Sequence, residues 1–240
     1  MANQSKYALL KLTEWLSNLE MIVMSIKICP SMMCANFASL EQEVHALDQA
    51  GIDIFHIDIM DGTFVPNFGM GLQDFQFIRN STEKLVDVHL MIQDPGKYVE
   101  MFADMGADII YFHPEADLHP IRTIHKIKEK GKKAGIAINP GTSIGTIEEL
   151  LPHIDNLMVM TVNPGFAGQA YIYSVDKKIE NLARIKENYD YALFVDGAIS
   201  RERIQTLSAI GVDGFVLGTS ALFGKEQSYA DIVKEITGGQ

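Results

Sequence analysis

Cysteine is almost absent from this chain: there are two, Cys29 and Cys34. They lie five residues apart across a Pro-Ser turn, so they form no disulfide framework. No Cys-x-x-Cys or Cys/His zinc-finger spacing is present either. A reducing cytoplasm is the expected compartment. No apolar run approaches the roughly 20 residues that a bilayer-spanning helix requires, and no membrane partner is expected. Positive charge is scarce, with 20 Lys and Arg against 31 Asp and Glu and a formal net charge of −11. That balance excludes a nucleic acid or an anionic membrane held by bulk charge, and it requires any phosphate ligand to be held by local geometry. A Gly-x-Gly-x-x-Gly turn is missing after the first strand candidate, where the chain reads Cys29-Pro30-Ser31-Met32. Its absence disfavours a dinucleotide-binding doubly wound sheet.

What the 240 residues do contain is apolar material, 47% of the total, in a regular arrangement. From Ile26 onward, short β-branched runs alternate with helical patterns. Strands are predicted at Ile26–Cys29, Ile54–Ile57, Leu85–Leu90, Ile109–Phe112, Ala134–Ile138, Leu157–Met160, Ala192–Val195 and Gly214–Leu217. Helices are predicted between and after them, including one over Ile144–Leu151. Gly51-Ile-Asp53, Gly106-Ala-Asp108 and Gly211-Val-Asp213 recur between a helix and the next strand. The glycine suits a left-handed helix cap and the aspartate a turn into the strand. Eight such units in about 215 residues predict an α/β fold, a (β/α)8 TIM barrel, as a single domain over 24–240. Residues 1–23 form an N-terminal extension. Leu9, Leu12, Trp15, Leu16 and Leu19 suit an amphipathic helix, whereas Met24-Ser25-Ile26-Lys27 reads as a start of its own.

In a barrel, chemistry gathers at the carboxyl ends of the strands. Polar residues cluster there: Ser31, His56 with Asp58, His89, His113 with Glu115, Asn139, Asn163, Asp196, and Gly218 with Thr219. Few charged residues are expected at the opposite ends. Strand alternation puts His56, Asp58 and Met60 on one face. By itself, this run reads equally as a two-ligand metal edge or as a solvated pair. His89 on the next strand and Asp196 on the seventh complete a His2Asp2 set, which suits one divalent metal ion: Zn, Mn, Fe or Co. Two aspartates approaching one bound molecule from opposite sides suit proton removal from one face of a carbon and delivery to the other. Glycine-rich turns follow the late strands: Asn163-Pro164-Gly165-Phe166-Ala167-Gly168-Gln169, Asp196-Gly197-Ala198 and Gly218-Thr219-Ser220. None contains Lys or Arg, so a phosphate there would rest on backbone amides. Met60, Met91 and Met160 end three strands on the inner side, either as core filling or as an apolar surface beneath a substrate.

These segments, taken in order with Phe64-Val65-Pro66-Asn67 and Val88-His89-Leu90-Met91, resemble the ribulose-phosphate 3-epimerase family from about Ile26 to the C-terminus. The resemblance implies an isomerase that inverts carbon 3 of a ketose phosphate, and a homo-oligomer. It implies that His56, Asp58, His89 and Asp196 hold the metal and that Asp58 and Asp196 double as the catalytic acid and base. Ser31 and His89 would contact substrate. Gly165, Phe166, Ala167, Gly168, Gly197, Ala198, Gly218, Thr219 and Ser220 would hold its phosphate. Gly-Phe-Ala-Gly, Asp-Gly-Ala and Gly-Thr-Ser, with Met32-Met33-Cys34 and His113-Pro114-Glu115, look more like the branch acting on D-allulose 6-phosphate than the one acting on D-ribulose 5-phosphate. The sequence reading therefore prefers the ketohexose phosphate. Related barrels that carry an Asp-x-Lys run at a strand end fit less well, because Asp58-Ile59-Met60 has no lysine.

Overall fold

The computed structural model describes residues 26–238. The N-terminal extension expected over 1–23 lies outside the described residues. Eight parallel strands are present: β1 (Lys27–Pro30), β2 (Ile54–Met60), β3 (Leu85–Met91), β4 (Ile109–Phe112), β5 (Lys133–Ile138), β6 (Asn156–Met160), β7 (Ala192–Asp196) and β8 (Gly214–Leu217). Consecutive strands pair from β2 to β8, and β8 pairs with β1. The ring closes through a parallel bridge between Ser31 and His56, and through the Asp53 N–H donating to the Ile28 carbonyl at 2.9 Å. The expected TIM barrel is therefore the fold. Its strands are buried on both faces, which is why they read as near-continuous apolar runs rather than alternating ones.

Helices return the chain outside the barrel: α1 (Leu40–Gln49), α2 (Leu72–Asn80), α3 (Val99–Asp104), α4 (Pro120–Glu129), α5 (Asp176–Ile185), α6 (Arg201–Ser208) and α7 (Tyr229–Thr237). The helix predicted over Ile144–Leu151 is instead two 3-10 segments, Ile144–Thr146 and Glu148–His153. Pro152 has no N–H to donate, and its ring would strike the carbonyl four residues back in an α-helix. Gly145, Thr146 and Ile147 are weak helix formers besides. Leu150 and Leu151 are still buried, so the segment covers the barrel without α geometry.

The amino ends of the strands carry more charge than expected. Asp53, Asp108, Asp155 and Asp213 each immediately precede an even-numbered strand. Each carboxylate accepts the N–H of the second residue of the preceding odd-numbered strand: Ile28 (2.9 Å), Val86 (2.9 Å), Ala134 (2.8 Å) and Leu193 (2.7 Å). Each is also paired with a cation, namely Lys27, Arg79, Lys128 or Lys186. The aspartates do more than turn the chain: they clasp neighbouring strands at the barrel floor. Charge-assisted bonds of this kind contribute about 1.5–3 kcal/mol when shielded from water, and less at partly exposed positions such as these. Charge at this end stabilises the barrel, and charge at the other end lines the cleft.

Inside the barrel, Cys29, Ile54, Ile109, Tyr111, Ala137, Met158, Met160, Phe194 and Val216 form one buried cluster. Tyr111 and Phe194 meet edge to face at 6.1 Å between ring centres. Each ring lies over a glycine paired with it across the sheet, Tyr111 over Gly135 and Phe194 over Gly214. A Cβ on Gly214 would sit 2.1 Å from the Phe194 ring, and one on Gly135 would sit 2.4 Å from the Tyr111 ring. The glycines are there because the rings are. Gly214→Ala is expected to destabilise the protein by about 1–3 kcal/mol through overpacking. In urea unfolding this lowers the midpoint at unchanged slope. An unshifted midpoint would show that the barrel interior can relax around the methyl group.

Candidate active site

β2 and β3 are in register so that His56 faces Asp87, Asp58 faces His89 and Met60 faces Met91. This pairing builds one side of the site. Asp196 ends β7 and reaches in from across the mouth. One ligand atom from each of His56, Asp58, His89 and Asp196 lies within 4.8 Å of the others. Nε2 of His56 is 3.3 Å from Asp58 Oδ1, and Nδ1 of His89 is 3.4 Å from Asp58 Oδ1 and 3.7 Å from Asp196 Oδ2. All four residues that were expected to act as ligands are thus brought together.

The residues fit a divalent ion. Both histidines are fully buried, and neither His56 Nε2 nor His89 Nδ1 has a hydrogen-bond partner. Buried polar atoms are almost always partnered, and two orphaned nitrogens converging with two carboxylates form a ready N2O2 ligand set. Bonds of about 2.0–2.2 Å to a central ion place neighbouring ligands roughly 3–3.6 Å apart, close to the spacings found here. Behind His56, Nδ1 lies 2.6 Å from Asp87 Oδ1, and both groups are fully buried. A carboxylate behind a ligating imidazole fixes the ring and raises its basicity. Ser31 donates from Oγ to Asp58 Oδ2 at 2.7 Å, which fixes that carboxylate in turn.

Environment separates the two site aspartates. Burial alone would raise the pKa of Asp58, but the charge and hydrogen bonding of His56, with a further contribution from His89, hold it well below the usual carboxylate range. Asp196 lacks that support, and burial, reinforced by the charge of Asp58, pushes it up to about 7. Burial opposes charge on His56 too, yet the Asp87 and Asp58 carboxylates raise its pKa well above the ordinary value. His89 is lowered by burial. Burial and charge thus separate the two carboxylates, Asp58 ionised and Asp196 far more readily protonated, which is how paired carboxylates divide the roles of base and acid.

Above this floor lies a cleft of about 540 Å³. Ser31, Asp58 and Asp196 line it, as do Gly165, Phe166, Ala167, Gly168, Gly197, Ala198, Gly218, Thr219 and Ser220. No Lys or Arg is among the lining residues, in keeping with a phosphate site built from backbone. His56 and His89 are not part of the lining; they lie beneath it. That position suits His89 as a ligand better than as a direct contact to substrate. Gly165, Gly168 and Gly197 have φ of 117°, 79° and 116°, a region that L side chains rarely adopt. A Cβ on Gly197 would in addition lie 2.5 Å from Val162. Ala198 also holds a positive φ, 51°. The turn is fixed by Thr161, whose hydroxyl donates to the carbonyls of Asp196 and Gly197. Gln169 staples the β6 loop by donating to the Asn163 and Phe166 carbonyls at 2.6 and 2.8 Å, and Asn67 ties that loop to the β2 loop by donating to the Gly165 carbonyl at 2.7 Å.

Met60, Met91 and Met160 all line the cleft and form its apolar part together with Met33, Val162 and Val216. Sequence reasoning missed Asp87, because an aspartate in Val86-Asp87-Val88 carries no local mark of its role. Only the β2–β3 register places it behind His56. Cys34 and Gln169 were also not foreseen as lining residues.

A profile of the ribulose-phosphate 3 epimerase family matches residues 27–223. The ribulose-phosphate 3-epimerase of Bacillus subtilis is 40% identical over 218 residues, which cover 90% of this chain and all of that protein. The protein of the same name from Methanocaldococcus jannaschii is 42% identical over 203 residues, 84% of this chain and 86% of its own length. Among solved structures, 3-hexulose-6-phosphate synthase from Salmonella typhimurium superposes with a TM-score of 0.69 at 18% identity, covering 89% of this chain and 98% of that one, a likeness of fold alone. With the profile spanning most of the chain and relatives matched over most of their length, the chain belongs to the ribulose-phosphate 3-epimerase family.

Proposed function

We propose that this chain is a metal-dependent ketose-phosphate 3-epimerase that interconverts D-ribulose 5-phosphate and D-xylulose 5-phosphate. The observation that carries the reading is the placement of Asp58 and Asp196 on opposite sides of one cleft, over a buried His2Asp2 set and beside glycine-rich loops. A divalent ion bound there supplies Lewis-acid polarisation of the substrate's oxygens. Asp58, held ionised, takes the proton from carbon 3, and the electron pair moves onto the adjacent carbonyl to give an enediolate. Asp196, the more readily protonated of the two, returns a proton to the opposite face of carbon 3, and the roles exchange in the reverse direction. Ser31 keeps Asp58 oriented. The methionines exclude water from the planar intermediate, and the backbone of the β6, β7 and β8 loops holds the phosphate.

The names of the relatives support the ketopentose over the ketohexose that the loop motifs suggest, so the order of the two substrates is reversed from the sequence reading. Two free cysteines, Cys29 buried and Cys34 partly so, suit a cytoplasmic setting. The direct test is steady-state kinetics on both ketose phosphates with the metal-loaded protein. D-ribulose 5-phosphate is expected to have the larger kcat/KM by at least about tenfold, or about 1.4 kcal/mol in transition-state binding. A preference for D-allulose 6-phosphate overturns the substrate assignment. Binding without turnover of either favours a non-catalytic sugar-phosphate barrel.

A further inference from the structure

His113 and Glu115 take no part in the mechanism above, yet they are joined to it. The His113 ring is fully buried just after β4 and meets His89 edge to edge, with ring centres 5.0 Å apart and planes inclined by 28°. The two Nε2 atoms face each other at 2.9 Å. On the far side, His113 Nδ1 lies 3.6 Å from Glu115 Oε2 without a hydrogen bond between them, so the carboxylate acts on that nitrogen through its charge. Glu115 is itself held, because its Oε1 accepts from the Asn139 N–H at 2.9 Å and from the Thr142 hydroxyl. Phe64 packs on the other edge of His113, at 4.8 Å.

Two imidazole nitrogens at 2.9 Å require that one donates and the other accepts. If His113 donates from Nε2, its bare Nδ1 lone pair faces a carboxylate, while a proton on His89 Nδ1 fills the centre of the ligand set. If His89 donates from Nε2, His113 carries its proton on Nδ1, toward Glu115, and His89 Nδ1 keeps its lone pair. The Glu115 charge favours the second arrangement, whereas Asp58 Oδ1, 3.4 Å from His89 Nδ1, favours the first until a cation occupies the ligand set and takes that lone pair. In the second arrangement, the nitrogen left bare is the one that faces Asp58 and Asp196 and has no hydrogen-bond partner.

We propose that His113 and Glu115 are positioning residues that lock His89 in its Nε2-protonated tautomer and so present the Nδ1 lone pair to the metal. The inference rests on His89 being a ligand, as in the proposed function. It gives the two site histidines opposite supports: an aspartate directly behind His56, and a histidine and a glutamate in series behind His89. Which ring nitrogen binds a metal is set by the hydrogen bond of the other.

Two measurements test it. In the metal-free protein, long-range proton–nitrogen NMR correlations assign the His89 tautomer directly. Because Asp58 draws the proton toward Nδ1 when no cation is bound, Glu115→Gln and Glu115→Ala are read against wild type and are expected to hold less Nε2–H and more Nδ1–H than it does. In chelator competition, both variants are expected to bind Mn²⁺ or Zn²⁺ about 10–100-fold more weakly than wild type, with Glu115→Asp recovering part of the loss. A tautomer population and a metal affinity both unmoved by the two substitutions overturn the proposal. His89→Ala separates the two ideas: wild-type metal affinity in that variant overturns the ligand assignment itself, whereas weakened affinity in it with no change in the Glu115 variants overturns only the lock.

Discussion

Asp58→Asn and Asp196→Asn are each expected to lower kcat/KM by about 10²–10⁴-fold, the usual range for loss of a positioned acid or base. The amide of asparagine neither takes a proton from carbon nor returns one. The two variants are not equivalent, however. Asp58 accepts the Ser31 hydroxyl at 2.7 Å and lies within 3.4 Å of both site histidines. Its loss therefore disturbs the ligand set as well as the base. Asp196 is the more peripheral of the pair, with its side chain 16% exposed and only His89 within salt-bridge distance, so its substitution reports more cleanly on proton transfer. The discriminating measurement is solvent-deuterium uptake at carbon 3, followed alongside metal content. A variant that keeps its metal, binds the ketose phosphate and shows no exchange has lost the proton-transfer group. If one variant still exchanges, it identifies the face on which the remaining aspartate works. Solvent-deuterium uptake retained by both would refute the two-acid assignment, because inversion at carbon 3 would then proceed without either carboxylate.

The legible parts of this molecule were those whose physics is local. Eight apolar runs, three of them preceded by Gly-x-Asp punctuation, specify strands and turns, and every strand end lies within three residues of its predicted bound. His56 and Asp58 share a face because alternation in a strand is a local rule. The illegible parts depend on register or on packing. Asp87 supports His56 only because β2 and β3 pair without offset. Asp53, Asp108, Asp155 and Asp213 were readable as turn residues, but each one's partner N–H lies 20–25 residues away in sequence on a neighbouring strand. The segment after β5 was misread for another reason: the apolar spacing of Ile144, Ile147, Leu150 and Leu151 is helical, and Pro152 overrides it. Substrate length is the hardest case. The cleft that receives the substrate is walled by Met33, Cys34, Phe166 and the glycine turns, to which four separate loops contribute.

Removing metal with a chelator is expected to lower activity by about 10³-fold or more, and a divalent ion added back is expected to restore it, since electrophilic stabilisation of a developing oxyanion contributes several kcal/mol. The structure adds a second expectation that does not depend on turnover. Emptied of cation, the site holds the carboxylates of Asp58, Asp87 and Asp196 against two fully buried imidazoles, whose inward nitrogens, His56 Nε2 and His89 Nδ1, lack a hydrogen-bond partner. Orphaned polar atoms in such a place cost about 1–3 kcal/mol each. A cation in their midst relieves that cost only in the folded state, so it should stabilise the fold by about 2.7 kcal/mol at a hundred times its Kd. The melting temperature of the stripped protein should therefore rise with added Mn²⁺ or Zn²⁺, and the rise should shrink in His56→Ala and His89→Ala. Asp87→Asn separates ligation from its support. It leaves all four proposed ligands in place, yet it removes the charge 2.6 Å behind His56, and it should weaken metal binding about 10–100-fold. Full activity in metal-free protein, together with a melting temperature indifferent to the ion, would leave the convergence of two histidines and two aspartates without the role assigned to it.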